Sequence, residues 1–298
     1  MNSRNNEIRK VSLTPPYAVS TIAGSWTGSG GHADNSTGSS ATFNGPQGIT
    51  TDGANLYVAD TGNCEIRKVS LTPPYAVTTI AGSTNPAGHA DSGTGTSATF
   101  TDPAGITTNG TYLYVTDSGN NEIRKISLTP PYAVSTIAGS WTGLGGHVDS
   151  NTGTSATFND PQGITTDGTY LYVVDTSNCE IRKISLASPY PVTTIAGSTN
   201  PAGHADSGTG TSASFNFPRN IATDGTNLYV SDTSNYEIRK ISLASPFAVT
   251  TIAGAFNNPG VTDGNVTSAS FDDLEGITID GTSLYVLDVY GNDIRKIQ

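Results

Sequence analysis

The sequence predicts an all-β protein, a β-propeller of four-stranded antiparallel blades, and three observations carry that prediction. An Ile-Arg-Lys tripeptide recurs with its isoleucine at positions 8, 66, 123, 181, 238 and 294, so the period stays at 56–58 residues. A fixed period of that size marks a solenoid, propeller or array. Each period holds four short β-branched and aromatic runs bounded by Gly, Pro, Asn and Asp, which are strand and hairpin signals. No segment carries a helical period. The Leu-Tyr-Val run of each copy is apolar on both faces, as a blade pressed between two neighbours requires.

One copy shows the elements in order. Gly48-Ile49-Thr50-Thr51 is a first strand, closed by Asp52-Gly53, the residue pair that hairpin turns favour. Leu56 to Asp60 is the second strand, and Thr61-Gly62-Asn63 turns the chain. Glu65 to Leu71 is the third strand, broken by Thr72-Pro73-Pro74, and Val77 to Ala81 is the fourth. First strands number five and third strands six, because both ends carry an Ile-Arg-Lys strand. Five blades are expected, with residues 1–24 and 276–298 sharing the closing blade of a single domain spanning 1–298. A truncated six-bladed ring is the alternative.

Pro-x-Gly-Ile, Asp-Gly, Leu-Tyr-Val-x-Asp, Thr-Gly-Asn, Ile-Arg-Lys-Ile and Val-x-Thr-Ile-Ala-Gly follow one another in each copy with small variations. In these motifs the blade resembles the NHL-repeat propellers, and the resemblance covers almost the whole chain. It implies the fold. It leaves function open, since such propellers serve as protein- or ligand-binding platforms and, in some relatives, as enzymes.

Charge narrows the choice. The net charge is −11 and charged residues make up only 13% of the chain. All six lysines and six of the eight arginines sit in the Ile-Arg-Lys strands, leaving only Arg4 and Arg219 elsewhere. Each of those arginines follows a Glu two residues earlier (Glu7 and Arg9, Glu65 and Arg67), except that Asp293 precedes Arg295. Residues two apart on a strand share a face, which reads as a ladder of solvated pairs. A nucleic-acid partner, which needs clustered basic residues, is not expected. Neither is a membrane span, because no apolar run nears the ~20 residues required. The polar start matches the middle of a repeat, Asn5 to Lys10 repeating Asn120 to Lys125 residue for residue. A fragment whose natural leader is missing is the expectation.

Candidate sites come from where the copies differ. The positions before each first strand vary most, and in a propeller they ring one mouth of the channel. Gln47, Gln162, Arg219 and Glu275, with Asp102, Asp160 and Asp273 beside them, are the expected ligand-binding set, against neutral variation of a surface loop. Trp26, Trp141 and Phe256 lie in otherwise polar loops and could anchor a protein or stack on a sugar, or else pack over a blade edge. His32, His89, His147 and His204 occur once per blade, too far apart for a shared metal site. Asp34, Asp91, Asp149, Asp206 and Asp263 offer the oxygen ligands calcium takes, beside the plainer reading of Asx turns. Asp60, Asp117, Asp175, Asp232 and Asp288 end the second strands and read as turn caps. Cys64 and Cys179 fall two blades apart and are expected as free thiols.

The expectation is therefore a non-enzymatic binding or structural module with no cofactor, displaying loops to a protein or carbohydrate partner. Its weakly charged Ser/Thr/Gly/Asn surface suits the outside or the cell surface of a prokaryote, with a cytoplasmic scaffold as the alternative. Two other functions stay open. One is self-association through the surplus terminal strand; the other is a propeller hydrolase or lyase with a channel site.

Overall fold

The computed structural model describes residues 5–25, 30–83, 87–140, 145–198, 202–266 and 268–298. The chain opens with β1 (Glu7–Val11) and β2 (Val19–Gly24), then β3 (Pro46–Thr51), β4 (Asn55–Asp60), β5 (Glu65–Ser70) and β6 (Val77–Gly82). The next period gives β7 (Pro103–Thr108), β8 (Tyr112–Asp117), β9 (Glu122–Ser127) and β10 (Val134–Gly139). It is followed by β11 (Pro161–Thr166), β12 (Tyr170–Asp175), β13 (Glu180–Ser185) and β14 (Val192–Gly197). Then come β15 (Pro218–Thr223), β16 (Asn227–Asp232), β17 (Glu237–Ser242) and β18 (Val249–Gly254). The chain closes with β19 (Leu274–Ile279), β20 (Leu284–Asp288) and β21 (Asp293–Ile297).

Within each sheet, strands adjacent in sequence are hydrogen-bonded neighbours, so each blade is an antiparallel meander. The chain is an all-β, five-bladed propeller of four-stranded blades. Four blades are complete sheets, β3–β6, β7–β10, β11–β14 and β15–β18, while β1–β2 and β19–β21 form terminal sheets of two and three strands. The first strand begins at Pro46, two residues before the predicted Gly48, because Pro46 already pairs with Asp60 across a bulge. The predicted Thr61-Gly62-Asn63 turn is one turn of 3-10 helix ended by Cys64 in the left-handed region at φ 55.

The strands fall into two compact units, 1–137 and 138–298. In each, the core lies between successive blades. In the first unit, Ile66 and Ala81 of one blade meet Phe100 of the following linker and Val115 and Ile126 of the next blade. In the second, Ile181 and Ala196 meet Phe215, Val230 and Ile241 in the same way. The linker thus joins two blades by burying its phenylalanine, which with neighbouring side chains supplies roughly 1.5–3 kcal/mol per large apolar group. Gly95 of the linker sits so close that a Cβ would meet the Ile80 and Tyr132 carbonyl oxygens, which explains the Gly-Thr-Gly-Thr-Ser linker on steric grounds. No helix among the described residues is long and apolar enough to cross a membrane.

Candidate functional site

In the four complete blades the Glu-x-Arg ladder is not solvated, whereas Arg9 in β1 is exposed. Arg67, Arg124, Arg182 and Arg239 are fully buried, and Glu65, Glu122, Glu180 and Glu237 are buried with them. Alternation does put both side chains on one face, but the linker arriving from the preceding blade covers that face. Arg67 Nη1 donates to Asp60 at 2.7 Å and to the Thr42 carbonyl at 3.0 Å, while Nη2 donates to Asp34 at 2.8 Å. Its guanidinium lies 5.1 Å from the Phe43 ring centroid. Arg124, Arg182 and Arg239 repeat the arrangement with Asp117 and Asp91, Asp175 and Asp149, and Asp232 and Asp206.

These clamps revise two sequence readings. Asp60 caps its turn by accepting from Asn44 N–H and Asn63 Nδ2, yet it also neutralises Arg67. Asp34 is not a local turn residue: its second oxygen accepts from Thr79 N–H in the following blade at 2.9 Å. The local turn belongs to its neighbour, Asn35 Oδ1 accepting from Thr37 N–H. The carboxylates of Asp34, Asp91, Asp149 and Asp206 each accept from the guanidinium of the clamp arginine of the next blade.

Removing these charges from water shows in their protonation. Desolvation pushes Asp117, Asp175 and Asp232 up to about 6, against the opposing pull of their arginines. Desolvation likewise pushes Glu122 and Glu180 up to about 7. Glu122 Oε2 and Arg124 Nε are buried without a hydrogen-bond partner, as are the same atoms of the other three clamps. A group that recurs in every blade with the same partners holds blades together. It offers no single asymmetric constellation of base, electrophile and orienter.

Residues that break the repeat lie where the first strands begin. In each unit the first strands of successive blades run side by side, β3 with β7, β11 with β15, and β15 with β19. Their backbones touch: a Cβ on Gly48 would meet the Ala104 carbonyl, and one on Gly163 the Arg219 carbonyl and Asn220 Cα. Thr176 Oγ1 donates to the Pro218 carbonyl at 2.8 Å and Thr233 Oγ1 to the Leu274 carbonyl at 2.5 Å, fixing each lead-in to the preceding blade.

On this framework Arg219 Nη1 donates to Glu275 Oε1 at 3.3 Å, with both side chains about half-exposed. Gln162 Nε2 donates to Asp160 Oδ1 at 2.5 Å. Gln47 is exposed on β3 in the first unit. Asp102, Asp160 and Asp273 take left-handed backbone (φ 51, 54 and 58) where the first copy has Gly45 and the fourth Phe217. Aspartate tolerates that region, so the turn alone accounts for the residue type there.

Phe256 is 42% exposed and stacks on His204, ring centroids 3.8 Å apart and planes 7° apart. Trp26 and Trp141 lie outside the described residues. His32 and His147 each stand 3.9 Å from a buried glutamate, Glu65 and Glu180. Among the described residues no group of three or more His, Cys, Asp or Glu side chains could hold a metal ion. Cys64 and Cys179 are free thiols whose pKa burial raises.

No family model matches the chain. Human NHL repeat-containing protein 2 is 27% identical over 290 residues, covering 86% of this chain and 39% of that protein. The chain therefore spans about two-fifths of that relative's length. The bovine protein of the same name is 33% identical over 150 residues, 46% of this chain and 20% of that protein. Among solved structures, a chain of a nidogen/laminin complex superposes with a TM-score of 0.66 at 14% identity, covering 99% of this chain and 87% of its own. Virginiamycin B lyase from Staphylococcus aureus superposes at 0.50 with 17% identity, covering 85% of this chain and 66% of its own.

Proposed function

We propose that this chain, an NHL-repeat β-propeller, is a non-enzymatic binding module whose recognition surface is the lead-in rim of the second unit. Arg219 and Glu275 carry the reading. Every clamp arginine of the four complete blades is buried against aspartates, whereas these two charges face each other half-exposed on strands whose backbones are fixed. An exposed pair of opposite charges offers both a donor fork and an acceptor to a polar partner, and Gln162 extends the polar rim.

A protein segment or a carbohydrate suits this rim, and the weakly charged surface favours a place outside or on the surface of a prokaryotic cell. The lyase reading is weaker. The fold likeness to virginiamycin B lyase comes at 17% identity, and the asymmetric charges Arg219 and Glu275 neutralise one another.

A glycan array and a panel of extracellular-matrix peptides, screened with the whole chain and with the Arg219→Ala/Glu275→Ala double variant, test the proposal. Binding that the double variant loses, with an unchanged melting temperature, is the expected result. Undiminished binding would move the surface elsewhere. Retained metal with lactone or ester turnover that Glu275→Ala abolishes would replace the module with an enzyme.

A further inference from the structure

Aromatic rings collect on one edge of the blade β15–β18. The pairs Pro218–Asp232, Asp232–Glu237 and Glu237–Gly254 form a row across all four strands, about 14 Å long at ~4.8 Å per strand step. Phe217 precedes Pro218, Tyr236 precedes Glu237, and Phe256 follows Gly254 by two residues, so three aromatic residues leave the sheet at this one end. A fourth ring comes from the incoming linker, whose Asp206 holds Arg239 of the same blade. It is His204, which stacks on Phe256.

Turn chemistry does not call for these rings. Phe217 and Tyr236 take left-handed backbone, φ 45 and 61, which Gly, Asn or Asp adopt readily and bulky side chains only at a cost. The corresponding residues of the blade β7–β10 are Asp102 and Asn121, at φ 51 and 58. Core packing does not call for them either. Phe217 is 52% exposed, and Phe256 stays largely exposed even with one face against His204. Trp26 and Trp141 hold the place of Phe256 in two other copies, but only β15–β18 has an aromatic residue at all three places.

The polar groups along the row are mostly neutral. Ser234, in the turn between β16 and β17, and Asn257, beside Phe256, are exposed, and like the Tyr236 hydroxyl they both donate and accept. At the β15 end Arg219 donates only through Nη1, to Glu275, among the described residues, which leaves Nε and Nη2 for a ligand. Sugar hydroxyls are likewise donor and acceptor at once, and the C–H face of a pyranose ring is apolar and flat enough to lie on an aromatic ring. A proline-rich segment also lies on aromatic rings, but its free carbonyls only accept. The net charge of −11 disfavours a polyanion.

We propose that this edge of β15–β18, continuing the recognition rim at Arg219 and Glu275 on whose reading it builds, binds an extended neutral polysaccharide. Its sugar rings stack on Phe217, Tyr236 and the Phe256–His204 pair, and its hydroxyls meet Ser234, Asn257 and Arg219.

Affinity electrophoresis of the whole chain through gels containing laminarin, a galactomannan, an arabinoxylan, dextran or polygalacturonate tests this. At least one of the four neutral polymers should retard the chain, and polygalacturonate should not. Phe217→Gly and Phe256→Ala should each weaken that interaction roughly tenfold or more with the parent's melting temperature. Val148→Ser, at an exposed apolar residue of the linker before β11, should bind as the parent does. Should Phe256→Ala perturb the fold, His204→Ala serves in its place. No retardation by any neutral polymer, or retardation undiminished by the aromatic variants, would overturn the proposal. Retardation lost in the Arg219→Ala/Glu275→Ala variant but kept in Phe217→Gly and Phe256→Ala would overturn the aromatic site and leave the rim standing. Loss in the aromatic variants alone would keep the polysaccharide site and remove the charged pair from it. A polyproline peptide bound in place of every polysaccharide, and released by the same aromatic variants, would give the edge to a proline-rich partner instead.

Discussion

Arg124 and Arg295 occupy the same place in the same tripeptide, and their surroundings differ. Arg124 is completely buried, donates to Asp117 at 2.6 Å, and shares Asp91 with the Thr136 N–H of the fourth strand. Arg295 is 9% exposed, donates to Asp288 at 3.2 Å, and relies on an Asp263 that no fourth strand of its own sheet engages. The same tripeptide gives a tight clamp in one copy and a loose one in the other. What differs is the neighbour, so in this protein the cost of losing an arginine is set by the sheet around it.

The largest effect expected from this contrast is a stability difference between the two sites. Arg124→Ala leaves Asp117 and Glu122 buried without their cation, and breaking a buried pair from one side costs about 3–5 kcal/mol. Arg295→Ala should cost less, about 1–3 kcal/mol: buried Asp288 loses its cation as Asp117 does, but the bond it loses is longer, and Asp263 and Asp293 remain in water. Urea melts of the two variants check the order. Equal losses would mean that the linker, rather than the number of strands in the sheet, sets clamp strength.

A smaller and pH-dependent effect sharpens the same point. The pKa of Glu122 in the fold is raised to about 7 by desolvation, above its ordinary 4.5. A raised folded pKa gives stability that is fully present below the unfolded value and lost as pH climbs through the folded one. The parent should therefore lose stability between about pH 4.5 and 7, and Glu122→Gln should lack that part of the slope. At pH 8 the variant should be the more stable by on the order of 1–2 kcal/mol, and at pH 4 the two should nearly coincide. Thermal melts at the two pH values decide it. A variant less stable at pH 8 would show that the attraction of Glu122 for Arg124 outweighs its desolvation.

The repeat, the four strands and the five blades were legible because each rests on local pattern. Period, β-branched runs and Asp-Gly turns are all written within one copy. The clamp was not legible, because Asp34 lies 33 residues from Arg67, and strand alternation alone cannot say which face another segment will cover. One signal was available: an aspartate kept at one place in all five linkers, while the residues around it change, has a partner outside its own turn. The Arg219–Glu275 meeting was half legible. Variation among copies picked out both residues, but only the close approach of neighbouring first strands brings them to 3.3 Å.

The smallest effect belongs to that pair, and its smallness is informative. Arg219 and Glu275 are about half-exposed, so water solvates either charge when the other is removed, and exposed pairs contribute roughly 0–1 kcal/mol. Arg219→Ala should shift the urea midpoint little, and raising the salt concentration should shrink even that shift. Arg124→Ala should keep most of its loss in salt, because its partners are screened by protein. If Arg219→Ala instead destabilised the chain by several kcal/mol, the pair would have to be counted among the clamps. Its freedom from a structural role, on which the recognition surface depends, would then be gone.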